Sequence, residues 1–159
     1  MREKVFNLAL IEAIKAYKKD EVPIGAVIFD PIKNQIISKA HNLVEKTKDP
    51  SAHAEILAIR KATKKLKDWR LNSLELYTTL EPCPMCADTI QKSRIKSVFF
   101  LAFDPKGGIC KLGLEELLLN NNVRNHKVTL IKINNDALEK QSSDLLKSFF
   151  KNKRKKLDK

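Results

Sequence analysis

No stretch of this 159-residue chain is long or apolar enough to span a bilayer, so a membrane protein of the helical kind is not expected. Cysteine is scarce, with three residues at Cys83, Cys86 and Cys110. An odd count with two members in C-x-x-C spacing excludes the reading of a secreted disulfide framework. It points to metal or redox chemistry in a reducing, cytoplasmic setting. Acidic residues are in the minority: 19 Asp and Glu stand against 31 Lys and Arg, a formal net charge of +12. That excess suggests a polyanionic partner, nucleic acid first, although a lysine-rich proteome would also produce it. The basic N-terminus is not read as a transit peptide, because Glu3 and Glu12 interrupt it and such peptides are poor in acids. Internal repeats, flexible linkers and any compositional break are missing too. The expectation is therefore one domain over residues 1–159, large enough for a single core.

The remaining pattern alternates helix and strand. Residues 3–19 carry Phe6, Leu10, Ala13 and Tyr17 at helical spacing. Val22–Phe29 is a buried strand that Pro23 begins, and Gly25 in it allows a close backbone approach. The turn at 30–34 leads to a return strand over Gln35–Ala40. After a loop carrying Asn42, Ser51 is a plausible N-cap for a second helix. Its expected buried face is Ala52, Ile56, Ile59, Thr63 and Leu66, with Lys61, Lys64, Lys65 and Lys67 outside. Strands are expected at Leu74–Thr79, Ile95–Phe103 and Val128–Ile133. Helices are expected from about Pro82 to Ser93, over Leu114–Leu119, and in a basic C-terminal helix over 136–157. The order predicts a three-layer α/β/α sandwich on a five-stranded mixed sheet, with a parallel crossover through each middle helix.

The chemistry lies in two short motifs, Pro50-Ser51-Ala52-His53-Ala54-Glu55 and Glu81-Pro82-Cys83-Pro84-Met85-Cys86. Two thiolates and an imidazole suit zinc, and three protein ligands leave one position for water, as in catalytic sites. The i, i+3 spacing puts both sulfurs on one helix face. The expected positions put all three ligands in first turns, where helix N-termini favour thiolates. Glu55 is set to exchange protons with the water. Each half alone is weak. H-x-E is common, and C-x-x-C also marks redox pairs and half zinc ribbons. The redox reading lacks an aromatic before the first cysteine, and a ribbon needs four. His41 and His126 are spare fourth ligands, more naturally read as packing or surface histidines.

The combination resembles the zinc-dependent nucleoside and nucleobase deaminases, and among them the bacterial tRNA-specific adenosine deaminase family. The similarity spans nearly the whole chain. It runs through Glu21–Val27, Asp49–Ile56, Thr79–Ala87, Ser93-Arg94-Ile95, Asp104-Pro105-Lys106, Asn125-His126 and Phe149-Phe150 with its basic tail. The resemblance implies the cytidine-deaminase-like fold and a homodimer that builds each site from both subunits. It implies one Zn²⁺ per subunit on His53, Cys83 and Cys86, with Glu55 as the catalytic proton shuttle. It implies that Asn42 bonds the target base and that the backbone around Ala54 and Cys83 holds the attacked centre. Ile24, Leu80 and Pro82 would line the base pocket. Asp104, Lys106, Phe149 and Phe150 would meet the anticodon stem-loop. The sequence departs from the family pattern at Gly107-Gly108-Ile109-Cys110.

The reaction so implied is hydrolytic deamination of the wobble adenosine of a tRNA to inosine. A deaminase of a free guanine or cytosine type is the alternative. It would keep the same four residues but would not need the charge or the tail. A zinc-stabilised RNA-binding subunit is a third reading, and it has no use for Glu55.

Overall fold

The computed structural model describes residues 1–116 and 126–157. The first helix, α1 (Arg2–Lys18), is followed by the hairpin β1 (Gly25–Asp30) and β2 (Gln35–His41). A single turn, α2 (Val44–Thr47), precedes α3 (Ala54–Leu66), β3 (Glu75–Leu80), α4 (Pro84–Lys92) and β4 (Ser97–Ala102). Then come β5 (Thr129–Lys132) and a last helix, α5 (Asp136–Leu157). The expected helix at Leu114–Leu119 falls partly outside the described residues.

The strands form one mixed sheet in the order β2-β1-β3-β4-β5. β1 is antiparallel to both β2 and β3, so those two run parallel, with α3 crossing over between them. The pairs β3–β4 and β4–β5 are parallel, and α4 makes the β3–β4 crossover. This is the expected three-layer sandwich. Strand alternation divides the core in two. Ala26, Ile28, Leu76 and Val98 pack with Ile56, Ile59, Cys86 and Ile90 on the α3/α4 face. Val27, Phe29, Tyr77, Phe99 and Leu101 pack with Phe6, Leu10 and Leu138 on the other face. On that face Tyr77 stacks on Phe99 at 4.8 Å between centroids and meets the edge of Phe6 at 5.1 Å. With both faces covered, β1 and β4 are buried at every position, which is why they read as continuous apolar runs.

Gly25 is where α1 meets the sheet. A Cβ there would collide with the Ala9 carbonyl oxygen and stand 2.7 Å from the Ala13 nitrogen, both of them backbone atoms. The close approach read from the sequence is therefore α1 itself. Gly25→Ala is expected to cost about 3 kcal/mol or more as an overpacked contact that backbone cannot relieve. Urea denaturation would show it, and a loss below ~1 kcal/mol would mean that α1 can slide.

Several boundaries differ from expectation for local reasons. Val22–Ile24 precedes the sheet instead of opening β1; the Ile24 N–H turns back to the Val22 carbonyl at 2.8 Å. Ser51 does not cap α3. Its N–H and hydroxyl both donate to Asp49 Oδ1, at 2.8 and 2.7 Å, and His53 takes the cap position. Starting α3 at Ala54 turns its buried face to Ala54, Glu55, Ile56, Ala58, Ile59 and Ala62, leaving Leu66 40% exposed. Phe103 lies beyond β4 and is exposed. The lysines of α3 are not all idle on the outside. Lys61 Nζ donates to the Lys39 carbonyl at 2.9 Å and Lys65 Nζ to the Ile37 carbonyl at 3.2 Å, both on β2.

Candidate active site

The parallel strands β2 and β3 flank β1 and end on the same side of the sheet. One leads through the 42–53 loop into α3, and the other through Glu81-Pro82 into α4. Crevices of α/β folds form at such carboxyl ends. Both helices begin there on residues with extended backbone, His53 (φ −73°, ψ 152°) and Cys83 (φ −78°, ψ 168°). The His53 side chain does not cap its own helix and points across at the start of α4, where it meets Cys83 and Cys86.

The two caps and Cys86, in the first turn of α4, offer ligand atoms all within 4.8 Å of one another. His53 Nδ1 lies 3.7 Å from Cys83 Sγ and 3.5 Å from Cys86 Sγ. Metal–sulfur bonds of about 2.3 Å and metal–nitrogen bonds of about 2.05 Å at tetrahedral angles give a nitrogen–sulfur edge of roughly 3.6 Å. The donor set therefore fits a tetrahedral ion of zinc size with little movement. The thiols already differ in acidity. A hydrogen bond from Cys86, and another from His53, pull Cys83 down to about 4, while donating to Cys83 and burial push Cys86 far up. The hydrogen bond to Cys83 raises His53. Cys86 and His53 thus each hold a proton toward Cys83 that a dication would displace.

Glu55, in the first turn of α3, is 3% exposed, and its Oε2 has no hydrogen-bond partner. Burial pushes its carboxyl up to about 7. A dication beside it would act in the opposite direction by favouring the carboxylate. An orphaned carboxylate oxygen in a buried, ligand-lined corner marks a place meant for something the chain does not itself supply.

The other candidates divide. Asn42 is buried, and its Oδ1 accepts the Ala54 N–H at 2.8 Å, so it does for α3 what His53 does not. That engages one lone pair of Oδ1 and leaves the NH₂ as the donor that can meet a ligand. Ile24 and Leu80 belong to the same buried cluster as Ala54 and Cys86. The Ile24 carbonyl takes the Asn42 N–H at 3.3 Å, and buried Pro82 precedes Cys83. These residues converge. Phe149 does not join them. It is buried against Tyr17 at 6.2 Å between centroids, in the seam of α1 and α5, while Phe150 is 46% exposed. Asp104 Oδ1 accepts the Lys106 N–H at 3.0 Å in a turn that leaves Lys106 outside. Neither spare histidine is a ligand. His41 Nδ1 meets Glu12 at 2.7 Å, and His126 Nε2 meets the Ile95 carbonyl at 2.9 Å. Cys110 stays out of the metal cluster as well. Burial and the Glu81 carboxylate raise its thiol to about 12, so it remains protonated.

Glu81 is the residue whose part the motif did not reveal. Only 2% exposed, it accepts the Asp104 N–H at 3.0 Å and the Cys110 N–H at 2.7 Å. Its one signal in the sequence is a charged residue set between the end of the strand at Leu80 and Pro82.

Comparison with known proteins agrees with this geometry. The model of the MafB19-like deaminase family matches residues 1–154. The tRNA-specific adenosine deaminase of Bacillus subtilis (strain 168) is 47% identical, covering 93% of this chain and 88% of its own. That of Aquifex aeolicus (strain VF5) is 44% identical, covering 94% of each. A structure solved in studies of A-to-I editing by tRNA:A34 deaminases at the wobble position of transfer RNA is 34% identical. It superposes with a TM-score of 0.78 over 91% of this chain and 99% of that one. With a donor triad at two facing helix starts and full-length relatives of one name, the chain belongs to the tRNA-specific adenosine deaminase family within the MafB19-like deaminases.

Proposed function

We propose that this chain catalyses hydrolytic deamination of the wobble adenosine in a tRNA anticodon loop, releasing ammonia and leaving inosine. The observation that carries it is the buried, unpartnered Glu55 Oε2 beside the His53–Cys83–Cys86 donor set, in a chain with this kinship. We further propose that residues 1–159 act as one deaminase domain, cytoplasmic and homodimeric, with one zinc ion per subunit.

His53 Nδ1 and the sulfurs of Cys83 and Cys86 would hold the ion. When bound, zinc supplies a Lewis acid that lowers the pKa of water toward about 7. Glu55 Oε2 takes a proton from the water that adds at C6 of the adenine and passes it to N1. It then delivers a second proton to the amino group, which leaves as ammonia. The Asn42 NH₂ donates to an acceptor on the purine, and its fixed Oδ1 keeps that donor aimed. Ile24, Leu80 and Pro82 form the apolar wall, and the backbone at Ala54 and Cys83 holds the attacked centre. Splaying the base out of a single-stranded loop costs less than opening a duplex.

The RNA backbone would meet the tail and the 104–110 loop, with Asp104 and Lys106 on the loop and Phe150 stacking beside the tail. Phe149 serves by seating α5 on α1. Lys147, Lys151, Arg154, Lys155 and Lys156 are exposed. Asp20 holds Lys153 at 3.0 Å and Lys156 at 3.5 Å. Asp20 adjoins Glu21, whose carboxylate takes the Glu45 and Lys46 N–H groups in the loop that carries Asn42. The tail and that loop thus share a rim.

An anticodon stem-loop with adenosine at the wobble position is the deciding substrate, with inosine scored by mass and free adenosine, guanine and cytidine in parallel. Inosine in the stem-loop is expected. Conversion of a free base alone would install the free-base reading instead. Five exposed cations on single-stranded phosphates should weaken RNA binding roughly 100-fold between about 50 and 200 mM salt. A flat response would remove the tail from the interface.

A further inference from the structure

Resting on that reading of the substrate, we propose that Glu81 is a positioning residue that sets the 104–110 loop over the anticodon and thereby governs affinity for RNA. Its carboxylate is a two-point clamp. Oε2 holds the N–H of Asp104, where the loop begins, and Oε1 that of Cys110, where it ends, at 3.0 and 2.7 Å. Its own N–H donates to the Ala102 carbonyl at 2.8 Å, which ties the exit of β3 to the exit of β4. One residue on, the Pro82 carbonyl accepts the Ile109 N–H at 3.1 Å, and Ile109 is fully buried in the α3/α4 core. The loop is therefore fastened at three points to the two residues that immediately precede Cys83.

The loop's sequence accommodates the clamp. A Cβ on Gly108 would run into Glu81 Oε2 and stand 2.9 Å from the Asp104 carbonyl oxygen. Only glycine lets the chain pass this close over the carboxylate. Gly108 has no positive φ, so its need is space rather than conformation. Gly107 closes on the Asp104 side chain instead. The departure from the family pattern at 107–110 is thus built around Glu81 on the inside and leaves Asp104 and Lys106 on the outside. With the clamp, the outward face holds one shape before RNA arrives. Without it, RNA must order the loop on binding.

Glu81→Gln is the informative change, because an amide meets two inward N–H groups with one acceptor and one clashing donor. The zinc-loaded variant is expected to bind metal at wild-type stoichiometry. Its KM for the stem-loop should rise about tenfold, while kcat at saturating RNA stays within about threefold. Hydrogen exchange should speed at the Asp104 and Cys110 amides. Gly108→Ala, which presses on the same carboxylate from the loop side, should give the same split even if Glu81→Gln fails to fold. An unchanged KM in both variants with faster exchange would make Glu81 structural only and overturn the proposal. An equal fall in kcat would do so too. A wild-type chain inactive on the stem-loop fails the substrate reading itself, an outcome visible before any variant is made.

Discussion

Glu55→Gln should lower turnover of the zinc-loaded enzyme on the stem-loop by roughly 10²–10⁴-fold, the range that a positioned general acid–base supplies. The substitution keeps the size of the side chain and removes only its ability to carry a proton. Glu55 is not among the three donors, so metal stoichiometry should be unchanged. Its side chain sits in the buried corner and not on the basic rim, so RNA affinity should hold as well. Stability should not fall with activity. A buried carboxylate oxygen without a partner is a cost to the folded chain, and a neutral amide reduces it. The expected signature is therefore an inactive protein that melts no earlier than wild type without metal. Turnover within tenfold of wild type would end the proton-shuttle assignment. An inactive variant that had also lost metal would move Glu55 into the ion's environment.

Removing a donor should act on a different quantity. His53→Ala or Cys86→Ala is expected to bring bound zinc, measured by elemental analysis, from about one per chain to near zero. Activity should fall at least as far as in Glu55→Gln. Groups that act as a unit fail together, so combining either with Glu55→Gln should cost little more than the single change. Additive losses would mean that the shuttle and the donor set work independently. The fold should survive, because the sheet and most of both cores are made by residues other than the donors. Only Cys86, fully buried, also fills core volume, and Cys86→Ala should be the less stable of the two.

What could be read before the fold was known depended on the range over which each signal acts. The donors announce themselves within a few residues, as His53-Ala54-Glu55 and Cys83–Cys86, and two N-caps need only local backbone to place them. β1 and β4 were legible because burial on both faces writes a continuous apolar run. Ser51 misled because a serine before a helical pattern looks like a cap, and nothing local says that Asp49 has claimed it. Three other roles depend on contacts between distant residues. Asn42 caps a helix twelve positions on, His41 answers Glu12 across 29, and Glu81 fastens a loop whose far end is 29 residues ahead. Phe149 and Phe150 look equivalent as neighbours. Helical rotation alone puts one in a seam and the other in solvent.

The bonds from Lys61 and Lys65 to β2 have a consequence for how this protein behaves in a crowded solution. β2 is the outermost strand on its side, and a free row of carbonyls there is a template on which another chain can add a strand. Two ammonium groups occupy that row at Ile37 and Lys39. An approaching strand must first displace them, and it meets their positive charge as it does so. Two of the lysines of α3 thus guard an open sheet edge against the addition of a foreign strand.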